Sequence, residues 1–191
     1  MTAATHDLVA FAALITSAAL FPPQSLNTTT AFVCLVSCVV GALIPDLDQA
    51  TNRLWDLLPA GNFIGKIFRN LFLHHRTLSH SILGIYLFHL LFTFVLPKIL
   101  NPSMVDISLV YYSLMIGLIS HIAGDMLTKE GVPFLFPFSF KIGFPPIKAL
   151  RITTGKFFEK FIILPSLTVY IIWFVISKKE IFLNLMSLIR S

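Results

Sequence analysis

Five apolar runs, each about as long as a helix needs to cross a bilayer, limit what this chain can fold into. A helix requires roughly 20 apolar residues to span ~30 Å of hydrocarbon. The runs fall at about 7–21, 29–45, 78–97, 104–127 and 161–183. Pro22-Pro23 closes the first, Pro45 the second and Pro97 the third, while Pro165 stands near the start of the fifth. The expected fold is all-α: a polytopic membrane helix bundle of about five spans, forming one domain over 1–191.

Composition supports lipid as the main solvent. Only 12% of the 191 residues are charged, against about 25% in a soluble domain, and the mean hydropathy is +0.84. The net charge of +5 calls for no nucleic-acid partner, because membrane proteins gather Lys and Arg in cytoplasmic loops. No Lys or Arg precedes the first run and the second follows almost at once, so residues 8–21 read as a retained span rather than a secretory signal. Cys34 and Cys38, inside the second run, read as small packing residues.

Two long connections carry their own pattern. In 49–76, Ile64, Ile67, Phe68, Leu71 and Phe72 recur at helical spacing with Lys66 and Arg69 opposite, the pattern of a helix lying in the membrane interface. Residues 131–148 hold four prolines, which exclude a continuous helix, and five phenylalanines, which exclude a wet linker. That stretch is expected to be an interfacial or re-entrant loop packed across the mouth of the bundle. Arg53, Lys66, Arg69 and Arg76, with Lys129, Lys141, Lys148, Arg151, Lys156 and Lys160, outnumber Lys98, Lys178, Lys179 and Arg190 on the other side. The long loops and the N-terminus are therefore expected in the cytoplasm.

The polar residues follow the same geometry. His6 starts the first run, Asp46 and Asp48 end the second, His75 and His80 open the third, and His121 and Asp125 close the fourth. In a serpentine chain odd helices begin where even helices finish, so these seven side chains are expected to meet in one layer. His121 and Asp125, four apart, share a helical face, and Gly124 leaves room for close approach. Two aspartates at a helix C-terminus oppose its dipole, so capping explains Asp46 and Asp48 poorly. His75 and His80 diverge on a continuous helix and need a break between them, with Thr77 or Ser79 as the cap. His89 lies deeper in its run and reads as a packing or hydrogen-bonded histidine.

Four histidines and three aspartates exceed the needs of one catalytic zinc, which takes about three protein ligands and a water. The set calls for a divalent metal, zinc by its donors and two ions by its count. Two dications with three carboxylates leave net positive charge, to which Arg76 adds a forked donor pair suited to phosphate. Water activated at such a centre would attack a phosphoester, with Asp48 accepting its proton. The expected partners are membrane lipids and an amphiphilic substrate bearing phosphate.

Thr5-His6, Ile44-Pro-Asp-Leu-Asp48, His75-Arg76 with Leu78-Ser79-His80-Ser81, and Ser120-His121 through Asp125 to Thr128 and 131–139 stand in this order. The pattern resembles the YdjM-like family of membrane-bound metal-dependent hydrolases over about 5–140. Thr77 and Ser79 stand where that family often has Gly and Thr, and neither change removes a ligand. The resemblance implies metal-dependent hydrolysis in a bacterial or archaeal cytoplasmic membrane.

Other chemistries fit less well. Type-2 phosphatidic-acid phosphatases share a His-x-x-x-Asp motif but want an Arg where Met115 stands, and their other motifs are missing. A metalloprotease needs His-Glu-x-x-His, and none of Glu130, Glu159 and Glu180 lies between paired histidines. A Gly-x-Ser-x-Gly elbow is absent too. A divalent-metal transporter would hold its ligands near the bilayer midplane, whereas here they gather at one surface. A metal-binding membrane protein without turnover stays open beside the enzyme.

Overall fold

The structure is a computed structural model, and it describes residues 1–47 and 78–190. Six α-helices organise them: α1 (Ala3–Leu20), α2 (Thr28–Leu43), α3 (Ile82–Ile99), α4 (Ile107–Met126), α5 (Leu164–Ser177) and α6 (Lys179–Arg190). Among the described residues, five segments are long and apolar enough to cross a membrane, namely Ala3–Leu20, Thr28–Asp46, Ile82–Ile99, Ile107–Met126 and Glu159–Ser177.

Local chemistry sets where these helices begin. The side chain of Asn27 accepts from Thr30 N–H at 2.7 Å and caps α2. Ser81 accepts from Gly84 N–H at 3.0 Å and caps α3, so the cap is neither Thr77 nor Ser79. Asp106 accepts from Ser108 and Leu109 at the start of α4, satisfying donors that a helix N-terminus leaves orphaned.

The second span closes at Pro45 as expected, and the fifth ends earlier than expected. Ile44 keeps helical angles despite preceding Pro45, and α2 tightens into a 3-10 turn over Ile44–Asp46. Ile44 N–H still bonds to carbonyls of Val40 and Gly41, and a proline early in a tight turn needs no donor of its own. The fifth span stops at Ser177, not near 183. Lys178 leaves helical geometry and α6 starts afresh at Lys179, because consecutive charges cannot continue into hydrocarbon cheaply.

Helices α2 and α4 form the tightest pair. A Cβ at Gly41 would meet the Leu114 carbonyl oxygen at 2.1 Å, and one at Gly117 would meet that of Cys38 at 2.0 Å. The two backbones therefore touch, the close approach that small residues permit between membrane helices. Leu118, Ile122, Val110, Leu114, Cys34 and Phe92 fill the core beside this crossing. Helix α1 packs on both α2 and α4, through Ala10 against Cys38 and Ala42. Helix α5 packs on α1, where Ile15 and Ala19 meet Phe174. At the far end α6 reaches back to α2, with Thr28 Oγ1 donating to the Ile189 carbonyl at 3.2 Å.

The Phe/Pro-rich stretch is held at the opposite end. Val132 and Ile142 exchange hydrogen bonds, Ile82 N–H donates to Phe134 O at 2.9 Å, and Phe144 N–H donates to Met126 O at 2.8 Å. The loop thus bridges the start of α3 and the end of α4. Val132 is buried beneath it, while Phe138, Phe140 and Phe144 are exposed. The interfacial helix expected in 49–76 lies outside the described residues.

Candidate metal centre

Three elements bring the polar residues together at this end of the bundle. The last turns of α4 present His121 and Asp125 on one face, the 3-10 turn closing α2 presents Asp46, and a 3-10 turn over Leu78–His80 presents His80. One donor atom from each of the four lies within 4.8 Å of the others.

The distances describe a ring of alternating nitrogen and oxygen. His80 Nε2 lies 3.6 Å from Asp46 Oδ1 and 3.5 Å from Asp125 Oδ2. His121 Nε2 lies 3.6 Å from Asp46 Oδ1 and 3.8 Å from Asp125 Oδ2. Ligands about 2.0–2.1 Å from a tetrahedral zinc stand roughly 3.3 Å apart. The observed edges exceed that by a few tenths of an ångström, within what rotation of the side chains closes. Each edge pairs a histidine nitrogen with a carboxylate oxygen, the donor types that zinc accepts.

Orientation of the rings favours the same reading. His121 Nδ1 donates to the Ala42 carbonyl at 2.6 Å, which leaves Nε2 as the lone-pair nitrogen facing the ring's centre. His80 Nδ1 bonds with the hydroxyl of Ser79 at 3.0 Å, again turning Nε2 inward. Metal-ligating histidines are oriented in this way by a partner on the other nitrogen. His121 Nε2 and Asp46 Oδ1 are buried and make no hydrogen bond among the described residues. Buried polar atoms are almost always satisfied, and a cation between them would satisfy both.

Charge and burial fit a dication. His80, His121 and Asp125 are essentially inaccessible, whereas Asp46 keeps 24% of its side chain exposed. Burial pushes the His80 imidazole below its ordinary value, with the neighbouring Asp125 and Asp46 carboxylates opposing that shift. A neutral imidazole is the form that ligates, and two carboxylates balance one doubly charged ion.

His6, from the first turns of α1, sits beside this ring. Its Nε2 lies 3.2 Å from Asp125 Oδ1, and its imidazole stacks on that of His121 at 3.8 Å and 7°. The Asp125 carboxylate is therefore shared, with Oδ2 toward His80 and His121 and Oδ1 toward His6 and the Met1 amine. Gly124 makes the space: a Cβ there would lie 3.3 Å from two atoms of the His6 ring.

Of the seven ligands expected from sequence, the structure gathers Asp46, His80, His121 and Asp125 and sets His6 against them. Asp48, His75 and Arg76 lie outside the described residues. His89 stands apart on α3, bonded through Nδ1 to the Tyr111 hydroxyl at 2.6 Å, and ties α3 to α4. Two contributors escaped the sequence reading. Ser79 orients His80 rather than capping α3, and Glu159, at the start of the fifth span, grips the N-cap of α1. A lone acid at the edge of an apolar run is the signal that marks Glu159.

A helical bundle holding two imidazoles and two carboxylates at one end, each aimed at a common point, is a membrane protein with a group able to hold a metal ion. The chain belongs to the YdjM family: the family described as YdjM inner membrane protein matches residues 1–188. It is 30% identical to the uncharacterized protein YvsG of Bacillus subtilis over 128 residues, 66% of this chain and 69% of that one. It is 31% identical over 137 residues to the inner membrane protein YdjM of Escherichia coli and to that of Shigella flexneri, covering 72% of this chain. The match spans 64% of each of those two relatives, slightly under two thirds. No solved structure matches.

Proposed function

We propose that the protein is a zinc-dependent hydrolase that cleaves a phosphoester of a lipid or similar amphiphile at the cytoplasmic face of the bacterial inner membrane. The observation that carries this is the closed ring of donors, with both histidines turned inward by partners on their Nδ1 atoms. A bound zinc would supply Lewis acidity and lower the pKa of water. Asp46, His80, His121 and Asp125 would hold it. His6 would fix the second oxygen of Asp125, and the partly exposed Asp46 marks the side from which substrate arrives.

Asp48, two residues beyond Asp46, is the proposed proton acceptor, and His75 completes the ligand set where a second ion is held. Arg76 is the proposed phosphate clamp, since its planar fork matches two phosphate oxygens. The exposed Phe138, Phe140 and Phe144 offer an apolar approach from the lipid side. Transport is the weaker reading, because the donors gather at helix ends rather than at mid-span. The test is elemental analysis of the detergent-purified protein, followed by an untargeted lipid screen with and without chelator. Stoichiometric zinc with chelator-sensitive release of a phosphorylated headgroup is expected. Bound metal without turnover would leave a metal-binding protein and overturn the hydrolase.

A further inference from the structure

Glu159 is fully buried, yet the fifth span to which it belongs brings no donor to the ring. A charge-bearing side chain at the edge of a span is costly and usually functional. Its partners show what it does. Oε1 accepts from Thr2 N–H at 2.6 Å and from Thr2 Oγ1 at 3.0 Å, and Oε2 accepts from Gly155 N–H at 2.6 Å. Thr2 is the N-cap of α1, and its own side chain caps nothing within the helix. Glu159 therefore supplies the negative group that a helix N-terminus favours, from a different span.

The grip passes directly to the metal centre. The Thr2 carbonyl accepts from both Thr5 N–H and His6 N–H at 3.1 Å, and the Thr2 and Thr5 hydroxyls bond at 2.8 Å. The residue that Glu159 holds thus holds the backbone of His6, whose ring touches Asp125 and His121. The local helix is shaped for this. Glu159 opens a five-residue π turn through Ile163, closed by Leu164 N–H on the Glu159 carbonyl. Pro165 follows, unable to donate to the ordinary ladder, and wide turns of this kind recur at functional positions.

We infer that Glu159 is a positioning residue of the metal centre, through which the fifth span locks the first turn of α1 and sets His6 against Asp125 and His121. This rests on the metal-binding reading above, and two readouts separate their failures. The first is protection of His6 from carbethoxylation by diethyl pyrocarbonate in metal-free protein, read by peptide mass spectrometry. The second is zinc affinity, read by competition with a chromophoric chelator.

Glu159→Ala is expected to expose His6 and to weaken zinc about 10–100-fold, the usual effect of losing an outer-shell partner. Glu159→Gln keeps an acceptor for Thr2 and is expected to fall between Glu159→Ala and the parent in both readouts. In a His6→Ala background, Glu159→Ala should cost no further affinity. Protected His6 with unchanged affinity in Glu159→Ala overturns the inference while leaving the metal centre standing. So does an equal loss with and without His6, since that marks a general structural role. If Glu159→Ala fails to insert, the same outcomes are read on Glu159→Gln. If the parent protein binds no zinc, the metal reading falls and His6 protection alone decides.

Discussion

Gly117→Ala tests the link between helix packing and the donor ring. The added Cβ would lie 2.0 Å from the Cys38 carbonyl oxygen and 2.8 Å from the Ala42 nitrogen. Both neighbours are backbone of α2, so no side chain can rotate away. Restoring even a 3.0 Å contact requires α2 and α4 to separate by about 1 Å. Overpacking of this kind costs roughly 1–3 kcal/mol. The separation also acts at the site, because Asp46 lies on the α2 side and His121 on the α4 side, 3.6 Å apart. It further stretches the 2.6 Å bond between His121 Nδ1 and the Ala42 carbonyl. Zinc affinity should then fall by about 10–100-fold, as when an outer-shell partner is lost. The assay is chelator competition beside thermal melting in detergent, with Leu91→Ala on the exposed face of α3 as the comparison. A Gly117→Ala protein with parental melting and parental affinity would show that the helices do not set the donor spacing.

His121→Ala should abolish zinc retention without impairing membrane insertion, measured by elemental analysis of membrane-extracted protein; full metal content would remove His121 from the ligand set. Asp46→Ala should do the same, and Asp46→Asn should retain some metal because one oxygen donor survives. Cysteines placed at 46 and at 121 should label from the same side of the bilayer, and labelling from opposite sides would dissolve the centre. Changing Phe138, Phe140 and Phe144 together to Ser should slow hydrolysis of vesicle-borne substrate far more than of a short-chain soluble analogue, and equal slowing of both would argue against an apolar approach.

Much of the fold could be read from the sequence because lipid enforces simple rules. Apolar length sets the spans, and the alternation of helix direction puts Asp46, His80, His121 and Asp125 at one end. Local rules were weaker. Pro45 does mark the end of α2, which stops at Leu43 and leaves Asp46 to the 3-10 turn that follows. Ser79, Thr77 and Ser81 are equivalent as caps on paper, and only the turn at Leu78–His80 selects Ser81. The fifth span was overextended because Ile181, Phe182 and Leu183 are as apolar as the span itself, while the charges at 178–180 decide the break. The sequence marks Glu159 as a lone acid at the edge of a span but hides its role, because Thr2, which it grips at the start of α1, lies 157 positions away. The close approaches of Gly41 to the Leu114 backbone and of Gly117 to the Cys38 backbone were equally hidden, since they exist only once α2 and α4 cross.

The partner that orients His121 is a peptide carbonyl, not a side chain. Ala42 lies in the last turn of α2, where carbonyls have no amide of their own helix to accept from. The imidazole therefore takes up an acceptor that the helix terminus leaves spare. No amino-acid replacement at position 42 deletes that oxygen; only a shift in the path of α2 can move it. The orientation of His121 is consequently tied to the relative placement of two spans, so a disturbance in the bilayer around them would register directly in the direction its Nε2 faces.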